Sequence, residues 1–249
     1  MDAIEYCREG DAFLEEGQLD QALKAYEQMI NLDGSGAYQW HRKAMTLCHL
    51  DRYDDAVADF YQAITLDEMA IDSWVAMGYA LLDLGRHDEA LATFDRSIQL
   101  DETFAFPWTA KGNALSCLDQ HAEALDAYEQ AIHLDAQALA GFDEDMRLAE
   151  TDSQPFVGKG NALSRLGRFD EAIATYDHAI QLDEPNPFAW FGRGNVFYKL
   201  GRGDEAMENL KRAIELDETN TVPELLSMQL TEQADQEFLS RLLNQDEDE

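Results

Sequence analysis

The sequence predicts an all-α protein, a right-handed α-solenoid of six helical hairpins followed by a C-terminal capping helix. Three observations carry that expectation. A small residue recurs at Gly10, Ala44, Gly78, Gly112, Gly160 and Gly194, with spacings of 34, 34, 34, 48 and 34 residues. A second small residue follows each of these twelve positions later, at Ala22, Ala56, Ala90, Ala124, Ala172 and Ala206. Apolar and aromatic residues return at helical spacing around both. Self-similarity at this period marks a stack of hairpins, each packing on its neighbours rather than round a central core.

Residues 71–102 show how one hairpin works. Trp74, Met77, Gly78 and Leu81 share a face of the first helix. Gly85 ends that helix, because a glycine readily takes the left-handed cap conformation. Asp88 and Glu89 open the second helix, where negative charge complements the helix dipole. Ala90, Phe94, Ser97 and Ile98 form its apolar face. Gly78 and Ala90 must be small because the two axes come closest there, and Trp74, Leu81 and Phe94 are expected to fill the space around them.

The other copies repeat this scheme. The first hairpin carries Gly10, Ala22 and Tyr26, with Tyr6 in the place that Trp40 takes in the second. The second adds Ala44, Ala56 and Phe60, and the fourth has Trp108, Gly112, Ala124 and Tyr128. The fifth has Phe156, Gly160, Ala172 and Tyr176, and the sixth has Trp190, Gly194, Ala206 and Leu210. A Leu-Asp pair closes every second helix, at Asp33, Asp67, Asp101, Asp135, Asp183 and Asp217. Asp51 and Asp119 replace the inter-helix glycine, a position aspartate tolerates better than most residues.

The pattern Trp-x2-x-Gly-x2-Leu, then Ala-x3-Phe/Tyr-x2-Ala, resembles the tetratricopeptide repeat (TPR). The likeness covers residues 3–220 and is closest from Lys159 and Gly160 through Ala172, Tyr176 and Ala179. One departure is consistent. The proline usual in the family after Leu-Asp is replaced by Gly34, Glu68, Glu102, Ala136, Glu184 and Glu218.

The expected organisation is hairpins one to four at 3–138, an insert at 139–152, hairpins five and six at 153–220, a capping helix at 221–243 and an acidic, disordered tail at 244–249. In the insert, Phe142, Met146 and Ala149 recur at helical spacing, which reads as a short helix or a lengthened connection. The sharper alternative is a hinge or a protrusion that binds a partner. In the cap, Pro223 suits a first helical turn, and Leu225, Leu226, Leu230, Phe238, Leu239, Leu242 and Leu243 can turn inward.

Composition narrows the partners. There are 51 acidic residues against 18 basic ones, a net charge of −33. That field repels phosphate backbones, so neither nucleic acid nor an anionic membrane surface is expected as a partner. The surface resembles those of salt-adapted organisms. Residues 1–5 lack the basic and apolar run of a signal peptide, and no stretch approaches the length of a membrane span. Cys7, Cys48 and Cys117 cannot pair evenly, so a reduced, cytoplasmic protein is expected.

No catalytic motif emerges, and no enzyme activity, metal or cofactor is expected. Gly158-Lys159-Gly160 and Gly192-Arg193-Gly194 lack P-loop spacing and sit inside first helices, where small residues serve packing. Arg202-Gly203-Asp204 spells an adhesion tripeptide but falls in an inter-helix turn. None of the histidines has the spacing of a zinc helix, and Asp143-Glu144-Asp145 lacks the ligand pattern of a calcium loop.

What the TPR resemblance implies is a concave face lined by first helices, which binds a peptide or helix of a partner protein. The candidate contact residues are Tyr38, His41, Met45, Val75, Tyr79, Asn113, Asn161, Arg165, Phe191, Asn195 and Lys199. Asn113, Asn161 and Asn195 recur at one repeat position, where a donor and an acceptor could hold an extended backbone. The N-terminal part of the face is apolar and aromatic, with Phe106 also in it, while Arg165, Arg193 and Lys199 collect toward its other end. The clamp by which family cochaperones grip acidic C-termini is missing. Thr109, Gly158, Phe188 and Gly192 stand where its side chains should be. A non-catalytic adaptor is therefore expected, either monomeric or weakly homo-oligomeric. The alternative is a structural protein that self-assembles through the insert or the terminal helix.

Overall fold

The computed structural model describes residues 2–34, 36–140 and 151–229, together with Phe238 and Leu242. Phe142, Met146 and Ala149 of the insert lie outside the described residues, as do Leu230, Leu239, Leu243 and the acidic tail. Thirteen helices and no strands make up the described residues.

The chain divides into two compact units, residues 1–120 and 121–249. The boundary falls inside the fourth hairpin, between its two helices. The first unit contains α1 (Ala3–Glu15), α2 (Leu19–Leu32), α3 (Ala37–His49), α4 (Tyr53–Leu66), α5 (Ile71–Asp83), α6 (His87–Leu100) and α7 (Ala105–Cys117). The second contains α8 (His121–Ala138), α9 (Gln154–Arg165), α10 (Phe169–Leu182), α11 (Pro187–Lys199), α12 (Gly203–Leu216) and α13 (Thr221–Gln229). Within each unit, successive helices pack as antiparallel neighbours, the arrangement short connections impose.

The recurring small residues sit where sequence reasoning put them. All six second-helix alanines, from Ala22 to Ala206, are completely buried. A Cβ on Gly160 would lie 2.6 Å from Tyr176 Cε1, and one on Gly10 would lie 2.6 Å from Tyr26 Cε1. The Gly-x-Gly pairs then have a packing explanation. Gly160 lies against Tyr176 of its own hairpin and Gly158 against Tyr128 of the preceding helix. Gly192 meets the other side of Tyr176, where a Cβ would come within 2.5 Å. The Tyr176 ring is therefore held by glycines from two successive first helices.

The tryptophans pack on the edge of the core and also bind the turn before their helix. Phe94 covers Gly78, while Trp74 is only half-buried. Its indole Nε1 donates to the Glu68 carbonyl at 3.0 Å. The same bond joins Trp40 to Gly34 (3.0 Å), Trp108 to Glu102 (3.4 Å) and Trp190 to Glu184 (2.9 Å). Each acceptor is the residue that replaces the family's proline, six positions upstream. The indole thus ties the start of a first helix to the turn that delivers it, satisfying a carbonyl the turn would otherwise leave open.

The turns follow their residue types. Gly17, Gly85, Gly167 and Gly201 have φ from 71° to 74°, and Asp51 and Asp119 take the same left-handed conformation at 56° and 57°. Three of the closing aspartates accept from the backbone two residues on: Met69 N to Asp67 at 3.0 Å, Thr103 N to Asp101 at 2.9 Å and Thr219 N to Asp217 at 3.1 Å. In the fourth hairpin the helix does not stop at Leu-Asp, and α8 continues through Asp135 to Ala138. At the other end, Val222 and Leu226 of α13 are fully buried in a cluster with Phe191, Leu210, Ala213 and Leu242.

Candidate partner-binding site

In the first unit the exposed first-helix surface is built on α1, α3, α5 and α7. Asp11 of α1 accepts from the Tyr26 hydroxyl at 2.6 Å and from Arg42 Nε and Nη2 at 2.9 and 2.6 Å. Arg42 occupies the repeat position that glycine takes at Gly158 and Gly192; its guanidinium lies 5.9 Å from the centre of the Tyr26 ring. The neighbouring Tyr38 is 55% exposed, and desolvation together with Asp11 pushes its phenol up. His41 faces inward, with Nδ1 2.9 Å from Ser73 Oγ and its ring 5.6 Å from Phe60. Burial lowers its pKa, which keeps it a neutral packing group. Met45 is half-buried against the core and Val75 is buried within it.

Tyr79 begins an aromatic row. Its ring meets Phe94 edge-on at 5.5 Å and lies 5.8 Å from Phe106, which is 6.2 Å from Phe104. Phe104 and Phe106 are 38% and 44% exposed, so the row emerges from the core onto the surface at the start of α7. Asn113 is half-buried further along the same helix. Phe104 did not stand out in the sequence, because it precedes the helix and has no place in the helical register.

In the second unit the first-helix positions divide into core and surface. Phe191 is buried against Leu210 and Val222 and offers a partner no surface. Asn161 accepts the Tyr176 hydroxyl at 2.8 Å, as Asp11 does for Tyr26. Both pairs are fifteen residues apart. Where the second-helix aromatic is phenylalanine, as at Phe60 and Phe94, the partner position holds Met45 and Tyr79 instead. Asn161 thus serves a buried tyrosine first, a role the fifteen-residue spacing signals in the sequence, whereas Asn195 stands fifteen residues before Leu210.

Arg193 turns away from the first-helix surface. It pairs with Asp177 and donates to Asn209 Oδ1 at 2.7 Å. Arg165 and Lys199 remain exposed, Asn195 is half-buried, and Lys199 Nζ donates to Ser164 Oγ at 3.2 Å. Burial first, and then the nearby Arg165 charge, hold the Lys199 ammonium below its usual range.

No group of three His, Cys, Asp or Glu side chains among the described residues is arranged to hold a metal. Burial raises all three thiols, and Cys48 is pushed up to about 11, so none is a thiolate nucleophile at neutral pH. No helix among the described residues is long and apolar enough to cross a membrane.

Family models described as tetratricopeptide repeat match residues 7–73, 41–103 and 187–220, and one described as TPR repeat matches 160–201. The chain belongs to the tetratricopeptide repeat family. No curated protein matches it in sequence. Solved structures are similar to it in fold. MamA is 21% identical with a TM-score of 0.60, over 73% of this chain and 92% of its own. PilF of Pseudomonas aeruginosa is 15% identical with a TM-score of 0.68, over 91% and 97%. YrrB, described as a TPR protein with an unusual peptide-binding site, is 20% identical with a TM-score of 0.55, over 84% and 100%. At these identities the TPR family likeness is one of fold.

Proposed function

We propose that this TPR protein is a non-catalytic adaptor that binds a peptide or helix of a partner protein on its first-helix faces. The observation that carries the reading is the aromatic row of the first unit. Phe104 and Phe106 stay substantially exposed beside the half-buried Tyr79, although the second-helix aromatics Phe94 and Tyr128 of the same hairpins are buried. Solvent-facing aromatics on a rigid scaffold are the anchors that protein interfaces use, and an amphipathic segment with apolar anchors suits them. Tyr38, exposed on α3, extends the aromatic character of the face. The peptide-binding site of YrrB gives the reading a precedent on the same fold. The chain's three unpaired thiols fit a reducing, cytoplasmic location.

Affinity capture from native extract, followed by mass spectrometry, tests the proposal. The wild-type chain is compared with a Tyr38→Ala, Phe104→Ala, Phe106→Ala variant. Proteins retained by wild type and lost by the variant support the reading, whereas an unchanged set refutes it. Light scattering across a concentration series addresses the self-assembling alternative, which a strict monomer excludes.

A further inference from the structure

Among the described residues, most cations of this acidic chain are held by carboxylates. Arg42 pairs with Asp11, Lys43 with Asp59, Arg52 with Asp55, Arg86 with Glu89 and Lys111 with Asp95. In the second unit, Lys159 pairs with Glu129, Arg168 with Glu171 and Arg212 with Glu184. Arg165 and Lys199, like Arg8 on α1 and Lys24 on α2, do not follow the pattern, but Arg165 and Lys199 lie close enough to act on each other. Neither has a carboxylate within ion-pair distance among the described residues, and the charge each feels from the other is repulsive.

Their surroundings present donors. Asn161, Ser164 and Arg165 lie on one face of α9 at the i, i+3 and i+4 positions. The Asn161 oxygen accepts from the Tyr176 hydroxyl, and the exposed side chain keeps its two amide N–H donors for a ligand. Ser164 Oγ accepts from Lys199, which frees its own O–H to donate. Arg165 and Lys199 have no acceptor to offer at all. A surface that offers donors and two positive charges is complementary to an anion, and a planar carboxylate matches the guanidinium fork best. On a protein carrying −33, two adjacent unneutralised cations are a local exception to the field.

We infer that Arg165, Lys199, Ser164 and Asn161 form a binding site for a side-chain carboxylate of an acidic partner peptide lying on the first-helix face of the second unit. The inference rests on the adaptor reading and names the chemistry of one anchor. The site is separate from the cochaperone clamp, whose positions are held by Phe188 and Gly192 in the same helix α11.

The test is fluorescence anisotropy on the full chain at fixed ionic strength. The probe is a fluorescein-labelled hexapeptide of alternating leucine and aspartate, amidated at its C-terminus. A second peptide carries asparagine for aspartate, and a third has leucine and asparagine with a free C-terminal carboxylate. Arg165→Ala with Lys199→Ala is compared with Arg8→Ala with Lys24→Ala. All four residues are exposed, and both variants change the net charge equally. Circular dichroism confirms that both variants fold.

The aspartate peptide is expected to bind roughly tenfold or more tightly than the asparagine peptide, and the first variant is expected to remove that difference. The second variant should keep it. If the Arg165/Lys199 variant binds the aspartate peptide as wild type does, the carboxylate site is overturned while the face remains a peptide-binding surface. Binding only of the free-carboxylate peptide overturns the side-chain assignment. Binding of none of the three overturns the site on this face, while the aromatic row of the first unit remains testable by the capture experiment.

Discussion

Removing the acceptor of a buried hydroxyl should cost more than removing the hydroxyl itself, and the Tyr176–Asn161 pair permits a direct test. Tyr176 is 1% exposed, and its hydroxyl donates to Asn161 at 2.8 Å. Asn161→Ala leaves that O–H without its acceptor beside a ring that Gly160 and Gly192 hold in place, at a cost of about 1–3 kcal/mol. Tyr176→Phe instead leaves an asparagine oxygen on an exposed residue, where water replaces the lost donor, and costs about 0.5–1.5 kcal/mol. The double variant has no orphaned donor, so its cost should stay near that of Tyr176→Phe alone. The coupling then equals the cost of Asn161→Ala, about 1–3 kcal/mol, well above the ~0.3–0.5 kcal/mol scatter of independent sites. Urea denaturation of the four proteins, followed by far-ultraviolet circular dichroism, measures it. A double variant whose loss equals the sum of the single losses would refute the pairing.

Four further outcomes follow. Gly160→Ala should lower the denaturation midpoint, because an overpacking cost of about 1–3 kcal/mol exceeds the ~1 kcal/mol gained in helix propensity. Gly203→Ala, with nothing within 4 Å of its added Cβ, should leave the midpoint unchanged or raise it. Burial raises the phenols of Tyr26 and Tyr176 above the usual value near 10. Their contribution to stability is complete below about pH 10 and is lost as pH rises toward the folded-state values. Phenolate absorbance from these two residues should therefore appear together with alkaline loss of ellipticity, and early ionisation in the folded chain would contradict their burial. With a net charge of −33, the midpoint should climb as sodium chloride is raised from about 10 mM to 0.5 M, and a flat response would show that self-repulsion is unimportant.

Features that depend on spacing along one helix were legible in the sequence. The small residues, the inter-helix turns with Asp51 and Asp119 in glycine's place, and the burial of the second-helix aromatics all obey a local register. Features that depend on where a chain reversal delivers a group were not. The tryptophan-to-carbonyl bonds need the geometry of the turn, so helical spacing could place Trp74 against the core but not reveal its bond to the Glu68 carbonyl. The continuation of α8 past Leu-Asp was equally invisible, since Ala136 gives no stop signal. Among the candidate contact residues, helical position alone could not separate Tyr38, exposed at the start of its helix, from Val75 and Phe191, which the packing encloses. Nor could it show that Arg193 is drawn aside by Asp177 while Arg165 meets no acid among the described residues.

The central claim is that partners engage the first helices rather than the second. The most direct measurement places a photo-crosslinking benzoylphenylalanine in turn at Phe106, on first helix α7, and at Tyr61, which is 62% exposed on second helix α4. Illumination in native extract should yield partner adducts from position 106 and none from position 61. Adducts from position 61 alone would place the interface on the opposite helices and contradict the account.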